Sequence, residues 1–228
     1  MPYPFAHPAA VLPLVRPMGR FAVPSALAIG SVLPDLWYFV PLVDRADSHS
    51  AAGLLWFCMP LGLAAYLLFH LLLKQPLIAL LSPRLASFTC VGLPRVPWHT
   101  VIISLFVGVL THLLWDEFTH SNDHSVSGYN WLQHANTAAG TAILAGWIWR
   151  KVRRVPPAAS PLSAFSRTCV VVSLLGVMTV AALWSADTAL AFDLATVKRF
   201  LRTTGIDALQ GLGVAVLIYC ALFRRKML

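Results

Sequence analysis

One apolar stretch of the chain carries ionisable residues at helical spacing: His112, Asp116 and His120 follow one another at steps of four. Four residues advance an α-helix by about 40° beyond a full turn, so His112 and Asp116 share one face and His120 is slightly rotated from it. Ionisable side chains in an apolar helix usually face a bundle interior or a wet cavity and mark functional sites. Because neutral imidazoles beside carboxylates are typical ligands of divalent metals, the spacing predicts metal ligation.

The composition places this stretch in a membrane protein. Of the 228 residues, 58% are hydrophobic and only 11% are charged, whereas a soluble domain has about 25% charged residues. The apolar runs are continuous over about twenty residues rather than alternating, which favours helices over a β-barrel. We therefore predict an all-α, polytopic helical membrane protein.

The apolar runs predict about six to seven membrane segments. Prolines and the Pro34-Asp35 pair interrupt the first run, so residues 5–43 are expected to form a broken or re-entrant hairpin. The further spans are expected at residues 51–73, 98–118, 131–149, 168–190 and 206–223. We expect residues 1–155 to form a membrane-embedded metal-site domain and residues 156–228 to add two transmembrane helices.

Basic clusters predict the orientation of these spans. The net charge is +8, but the basic residues lie in short groups beside apolar runs, at 16–20, 74–95, 150–154 and 224–226. This distribution is typical of cytoplasmic loops rather than of nucleic-acid binding. A cytoplasmic C-terminus then directs His7, residues 35–49 and residues 112–134 toward the extracytoplasmic side.

The predicted orientation brings a set of possible metal ligands to one membrane depth. We expect a divalent ion, with zinc as the first candidate, bound by His7, Asp35, His49, His112 and Asp116. Glu117 or Asp116 is the candidate proton acceptor from an activated water molecule. More peripheral roles are expected for His120, Asp123, His124 and His134.

Each expected ligand also has a structural alternative. His7 and Asp35 are possible helix caps, and His49 could simply be solvated at the interface. His112 and Asp116 could form a histidine–carboxylate pair without any metal.

Several motifs together resemble a known class of proteins. Residues 5–13, the Gly30–Asp35 element, His49-Ser50 and residues 110–120 look like an uncharacterised bacterial integral-membrane family of unknown function. The order of these motifs is also similar to the membrane-bound metal-dependent hydrolase family, of the LexA-regulated inner-membrane hydrolase type. That resemblance implies a multi-pass protein of the bacterial inner membrane, with the five residues named above at the metal-binding positions. In this sequence Pro34-Asp35-Leu-Trp stands where the hydrolases tend to have Pro-Asp-x-Asp.

Two functions of different classes follow from these observations. The first is a membrane-embedded, divalent-metal-dependent hydrolase that acts on a phosphoester of a lipid or lipid-linked substrate. The second is a non-enzymatic membrane protein, such as a transporter, an ion-conducting protein or an assembly partner, whose His/Asp cluster binds metal or relays protons. A transporter is expected to show internal repeats with paired broken helices, and residues 168–223 contain no counterpart of the Pro34-Asp35 break.

Overall fold

The protein is described by a computed structural model over residues 6–38, 43–81, 83–88, 95–120, 131–157, 162–185 and 194–227. Within these ranges the regular elements are helices and no β-strand occurs, which confirms the all-helical prediction. In chain order the α-helices are α1 (Pro8–Val11), α2 (Val15–Met18), α3 (Pro24–Gly30), α4 (Arg45–Ser48), α5 (Ala51–Leu80), α6 (Pro83–Phe88), α7 (Trp98–His120), α8 (Trp131–Val152), α9 (Ala164–Ser185) and α10 (Leu194–Met227). Helix α5 contains π-helical turns at Leu54–Cys58 and Phe69–Leu73.

Four helices of the described chain are long and apolar enough to cross a membrane. Their apolar stretches are Ala51–Leu80, Trp98–Glu117, Ala164–Trp184 and Thr203–Arg225. These helices expose large apolar side chains, Leu55, Ile102 and Leu183 among them, which water would disfavour and lipid accommodates. The chain is therefore a membrane protein. The expected total of six to seven segments stays a prediction, and α8, at the expected span 131–149, is not among these four helices.

The N-terminal region is divided into short helical pieces. Besides α1, α2 and α3 it contains 3₁₀ helices at Leu12–Leu14, Gly19–Phe21 and Leu33–Tyr38. Pro8 and Pro24 lie in first turns, where the missing N–H is not needed. Gly19 adopts a φ of 53° after α2, a conformation that favours glycine. The longest of these pieces has seven residues, far fewer than the roughly twenty needed to span a bilayer.

A close crossing of α3 and α7 supports the region that carries the ionisable residues. At this crossing Gly30 faces Gly108, and a Cβ at Gly30 would clash with the backbone carbonyl of Leu105. A Cβ at Gly108 would clash in the same way with the carbonyl of Leu27. Small residues allow helix backbones in a membrane to approach this closely. The two glycines thus bring the backbone just after α3 against the face of α7 that carries His112.

Apolar packing and one buried serine hold the same crossing in place. The core includes Leu33, Leu54 and Leu105, which come from three separate elements and are almost fully buried. The Ser104 hydroxyl donates to the Phe21 carbonyl at 2.8 Å and accepts the Val23 N–H at 2.9 Å. It therefore pairs two backbone groups of the segment that leads into α3.

The chain divides into two compact units, of which the first contains residues 1–69 and 93–154 and the second residues 70–92 and 155–228. In the second unit, α9 packs along α10. There the Tyr219 hydroxyl donates to the Pro76 carbonyl at 3.1 Å, and the Arg167 guanidinium donates to the Leu81 carbonyl at 3.2 Å. The functional division into residues 1–155 and 156–228 stays a prediction.

Candidate metal centre

Five residues from four places in the first unit converge on one buried cluster. His7 precedes α1, Asp35 lies in the 3₁₀ helix Leu33–Tyr38, His49 follows α4, and His112 and Asp116 lie one turn apart on α7. All except His49 are buried, and the His49 side chain is only 12% exposed. The five residues expected as ligands from the sequence are therefore neighbours in the fold.

The distances within the cluster suit ligands of a common ion. Asp35 lies 3.8 Å from the Nε2 atoms of both His7 and His112 and 3.9 Å from that of His49. Asp116 lies 3.4 Å from the Nε2 of His49, 3.8 Å from that of His112 and 3.9 Å from that of His7. Two ligands of a tetrahedral ion with bonds of about 2.1 Å are themselves about 3.4 Å apart. The observed separations need only a small contraction to reach that geometry.

The cluster offers two overlapping sets of three ligand atoms. His7, Asp35 and His112 form one set, and His49, His112 and Asp116 form the other, with the atoms of each set within 4.8 Å of one another. Each set has the mixed nitrogen and oxygen donors that zinc and related divalent ions accept. The buried His/Asp group can therefore hold a metal ion.

His112 is oriented by a backbone hydrogen bond. Its Nδ1 lies 2.8 Å from the Ser31 carbonyl, directly after α3. Because a carbonyl only accepts, Nδ1 carries the proton and donates, which leaves the lone pair on Nε2. Nε2 is buried and makes no hydrogen bond within the described residues. Histidines that bind a metal through one ring nitrogen typically donate a hydrogen bond from the other ring nitrogen, as Nδ1 of His112 does here.

His49 is oriented in a similar way by the turn that precedes it. Its Nδ1 lies 3.1 Å from the Arg45 carbonyl and 2.9 Å from the Ser48 hydroxyl, and that hydroxyl also donates to the Arg45 carbonyl at 3.1 Å. The proton on Nδ1 is directed to the carbonyl, so the Nε2 lone pair faces the cluster. Nε2 is buried without a hydrogen bond in the described part of the chain.

Burial makes the charged form of the Asp35 carboxylate unfavourable. Burial is the main cause that raises the pKa of Asp35 to about 7, and the nearby Asp116 carboxylate adds to it. Oδ1 of Asp35 has no hydrogen bond within the described residues. A divalent ion would neutralise both carboxylates and occupy the lone pairs that the cluster leaves unused, so the residues fit a metal.

Glu117 and His134 were also expected near the site, and neither belongs to the buried cluster. Glu117 is exposed, and because it follows Asp116 directly it points about 100° away around α7. Its role as a proton acceptor stays a prediction. His134, on α8, is also exposed. Asp123 and His124 lie outside the described residues, and of His120 only the backbone is described.

The structure also bears on the helix-cap alternative for His7. This residue occupies the cap position of α1 without a capping hydrogen bond from its side chain.

Arg45 is a member of the site that sequence reasoning missed. Its Nη2 donates to Oδ2 of Asp116 at 3.2 Å, while its side chain remains 41% exposed. The available signal was its position four residues, about one helical turn, before His49, a spacing that puts both residues on the same face of the short helix. Residues 44–50 read as a polar loop in the sequence, and this interpretation concealed the relation.

The sequence matches the domain of unknown function DUF4184 over residues 1–221. The chain belongs to the DUF4184 family. This match confirms the expected membership in an uncharacterised family, and it covers the cluster, α9 and most of α10. No curated protein and no solved structure matches the chain. The resemblance to membrane-bound hydrolases therefore rests on the order of its motifs alone.

Proposed function

We propose that this DUF4184 protein is a membrane-embedded, divalent-metal-dependent hydrolase that acts on a phosphoester of a lipid or lipid-linked substrate. The observation that carries the proposal is the convergence of three imidazoles and two carboxylates in one buried cluster at ligand spacing. Zinc is the ion best matched to this donor set, since it favours imidazole nitrogen with carboxylate oxygen.

The chain's own groups supply the positioning that such a reaction needs. An ion held there would lower the pKa of a water molecule and polarise a phosphoryl oxygen. The Ser31 and Arg45 carbonyls hold two imidazoles in the ligating orientation, and four of the five cluster residues are buried from solvent. Asp35 or Asp116 could accept the proton that the attacking water molecule releases.

The location of the cluster favours a lipid or lipid-linked substrate. His112 and Asp116 lie in the last turns of the apolar stretch Trp98–Glu117, so the cluster is near one end of a membrane-length helix. A headgroup phosphate at that depth can reach the cluster while its acyl chains stay in the bilayer. We further propose that this end lies on the extracytoplasmic side of the bacterial inner membrane and the C-terminus in the cytoplasm, an orientation that the distribution of the basic clusters supports.

Metal content and hydrolysis test the proposal together. Purified full-length protein is expected to contain zinc and to release phosphate or a phosphorylated headgroup from short-chain phospholipids. The double variant with His112→Ala and Asp116→Ala should lose both the metal and the activity. The matched control is His99→Ala, which removes an exposed histidine from the opposite end of α7.

The same measurements separate the proposal from its alternatives. Bound metal without hydrolysis, together with metal or proton flux in proteoliposomes, would instead favour the transport or relay function. Metal content that is unchanged in the double variant would rule out the cluster as the metal site.

A further inference from the structure

Arg45 places its positively charged guanidinium group beside the proposed metal ligands. It is the first residue of α4, and its Nη2 lies 3.2 Å from Oδ2 of Asp116. The Asp116 side chain is 6% exposed and that of His112 is 0% exposed, whereas 41% of the Arg45 side chain is accessible. Exposure thus rises from the buried histidine through the carboxylate to the guanidinium, so Arg45 is the most solvent-accessible of these three residues.

The guanidinium retains donors that its contact with Asp116 does not use. A guanidinium has five N–H donors in a fixed planar fork. The Asp116 contact uses Nη2, and the buried Nε makes no hydrogen bond within the residues that the structure describes. The remaining donors can bind the oxygens of an anion, and the fork matches phosphate geometry particularly well.

The charge of the site also favours an anion at this position. Asp35 and Asp116 contribute two negative charges, Arg45 contributes one positive charge and a divalent ion would contribute two, which leaves a net charge of about +1 when the ion is bound. Without Arg45 the occupied site would be neutral. Arg45 is also held in place at its backbone, because its carbonyl accepts hydrogen bonds from Ser48 and His49.

We propose that Arg45 is the anion-recognition residue of the site, and that its guanidinium binds a non-bridging oxygen of the substrate's phosphoryl group beside the metal. This inference rests on the proposed metal-dependent function and adds its specificity for an anionic group. A group that approaches the cluster from the exposed side meets Arg45 before it meets the ligands, so the guanidinium both attracts it and orients it.

Phosphate binding to the full-length, zinc-loaded protein tests the inference. The probes are inorganic phosphate and dihexanoyl phosphatidic acid, titrated by calorimetry into wild type, Arg45→Gln and Arg45→Lys, with metal content measured on the same samples. The control is Arg20→Gln, which removes an exposed arginine of the first unit that lies over the Phe21 ring.

We expect Arg45→Gln to keep its zinc and to bind phosphate about 10- to 100-fold more weakly, as loss of a charge-assisted hydrogen bond predicts. The phosphate affinity of Arg45→Lys should lie between those of wild type and Arg45→Gln, because lysine keeps the positive charge but lacks the planar set of donors. Arg20→Gln should match wild type. Tighter binding of the phosphatidic acid than of inorganic phosphate would show that the bound phosphate group belongs to a lipid headgroup. Equal binding would show that the site takes a free phosphate.

Two results would overturn the inference while the proposed function stands. One is unchanged phosphate affinity in a zinc-loaded Arg45→Gln variant. The other is loss of zinc from both Arg45 variants, which would show that the arginine serves only to position Asp116. A wild-type protein that binds no zinc would instead overturn the proposed function itself, so the two failures are distinguishable by metal content.

Discussion

The imidazole rings of His7 and His112 stack with their centroids 4.0 Å apart and their planes 28° from parallel. The two residues come from the start of the described chain and from the end of a membrane-length helix. Two positively charged rings in this contact would repel each other, so the stack favours the neutral imidazoles that bind metals. The His49 ring meets His112 edge-on at 5.4 Å, which places all three imidazoles around the same space.

Metal removal should destabilise the protein. An ion that binds only the folded state at 100 times its dissociation constant contributes about 2.7 kcal/mol, so a chelator should lower the Tm and added zinc should restore it. Differential scanning fluorimetry in detergent measures both changes. The Tm of the His112→Ala variant should not respond to chelator, and a wild-type Tm that also failed to respond would contradict a bound structural or catalytic ion.

Metal affinity should rise with pH because of Asp35. Its pKa is raised to about 7 by burial and by the Asp116 carboxylate, so below pH 7 most of the metal-free protein carries a proton that the ion must displace. Affinity should therefore increase by up to about tenfold per unit from pH 6 to pH 7 and level off above that. Competition with a chelator of known affinity measures this dependence. A flat profile between pH 6 and pH 8 would argue against Asp35 as a ligand.

Loss of the Ser48 hydroxyl should weaken the metal site indirectly. This hydroxyl lies 2.9 Å from Nδ1 of His49 and bonds the same carbonyl as that ring. Groups that orient ligating histidines typically change metal affinity by about 10- to 100-fold, so Ser48→Ala should bind zinc at least about tenfold more weakly. The control is Ser173→Ala, an exposed serine whose hydroxyl bonds a helix carbonyl in the second unit. Equal weakening in both variants would point to a nonspecific effect.

The close crossing of α3 and α7 should tolerate no side chain at its glycines. In Gly30→Ala and Gly108→Ala the new Cβ would meet backbone atoms of the facing helix, which cannot move aside as a side chain can. Overpacking of this kind costs about 1–3 kcal/mol, and separation of the helices would draw the Ser31 carbonyl away from His112. Tm and zinc content should both decrease. The control is Gly146→Ala on α8, where a Cβ would have nothing within 4 Å.

The local part of the site was predictable from the sequence. Low charge and long apolar runs indicate membrane helices, and the four-residue step between His112 and Asp116 places both on one face of α7 whatever else the chain does. Pro8, Pro24 and Pro34 likewise break the N-terminal region by local geometry alone. These features follow from periodicity and backbone restrictions within short segments.

The convergence of the cluster was decided only by tertiary structure. The basic clusters predicted a common membrane side for His7, Asp35 and His49, but a shared side does not bring side chains within 4 Å of one another. That proximity depends on how closely α3 crosses α7 at Gly30 and Gly108, which is a contact between distant parts of the chain.

Arg45 and Glu117 show the same division between local and long-range information. Both are charged residues close to expected ligands in the sequence, and Glu117 was the one expected to take part in the chemistry, as a proton acceptor. The fold leaves Glu117 exposed and directs the Arg45 guanidinium to Asp116. The sequence by itself determined the helical membrane class, the broken N-terminal region and the residue types of the cluster. The tertiary structure alone decided that Arg45 rather than Glu117 faces the cluster, because the rotation of one helix against another is set by packing and not by local spacing.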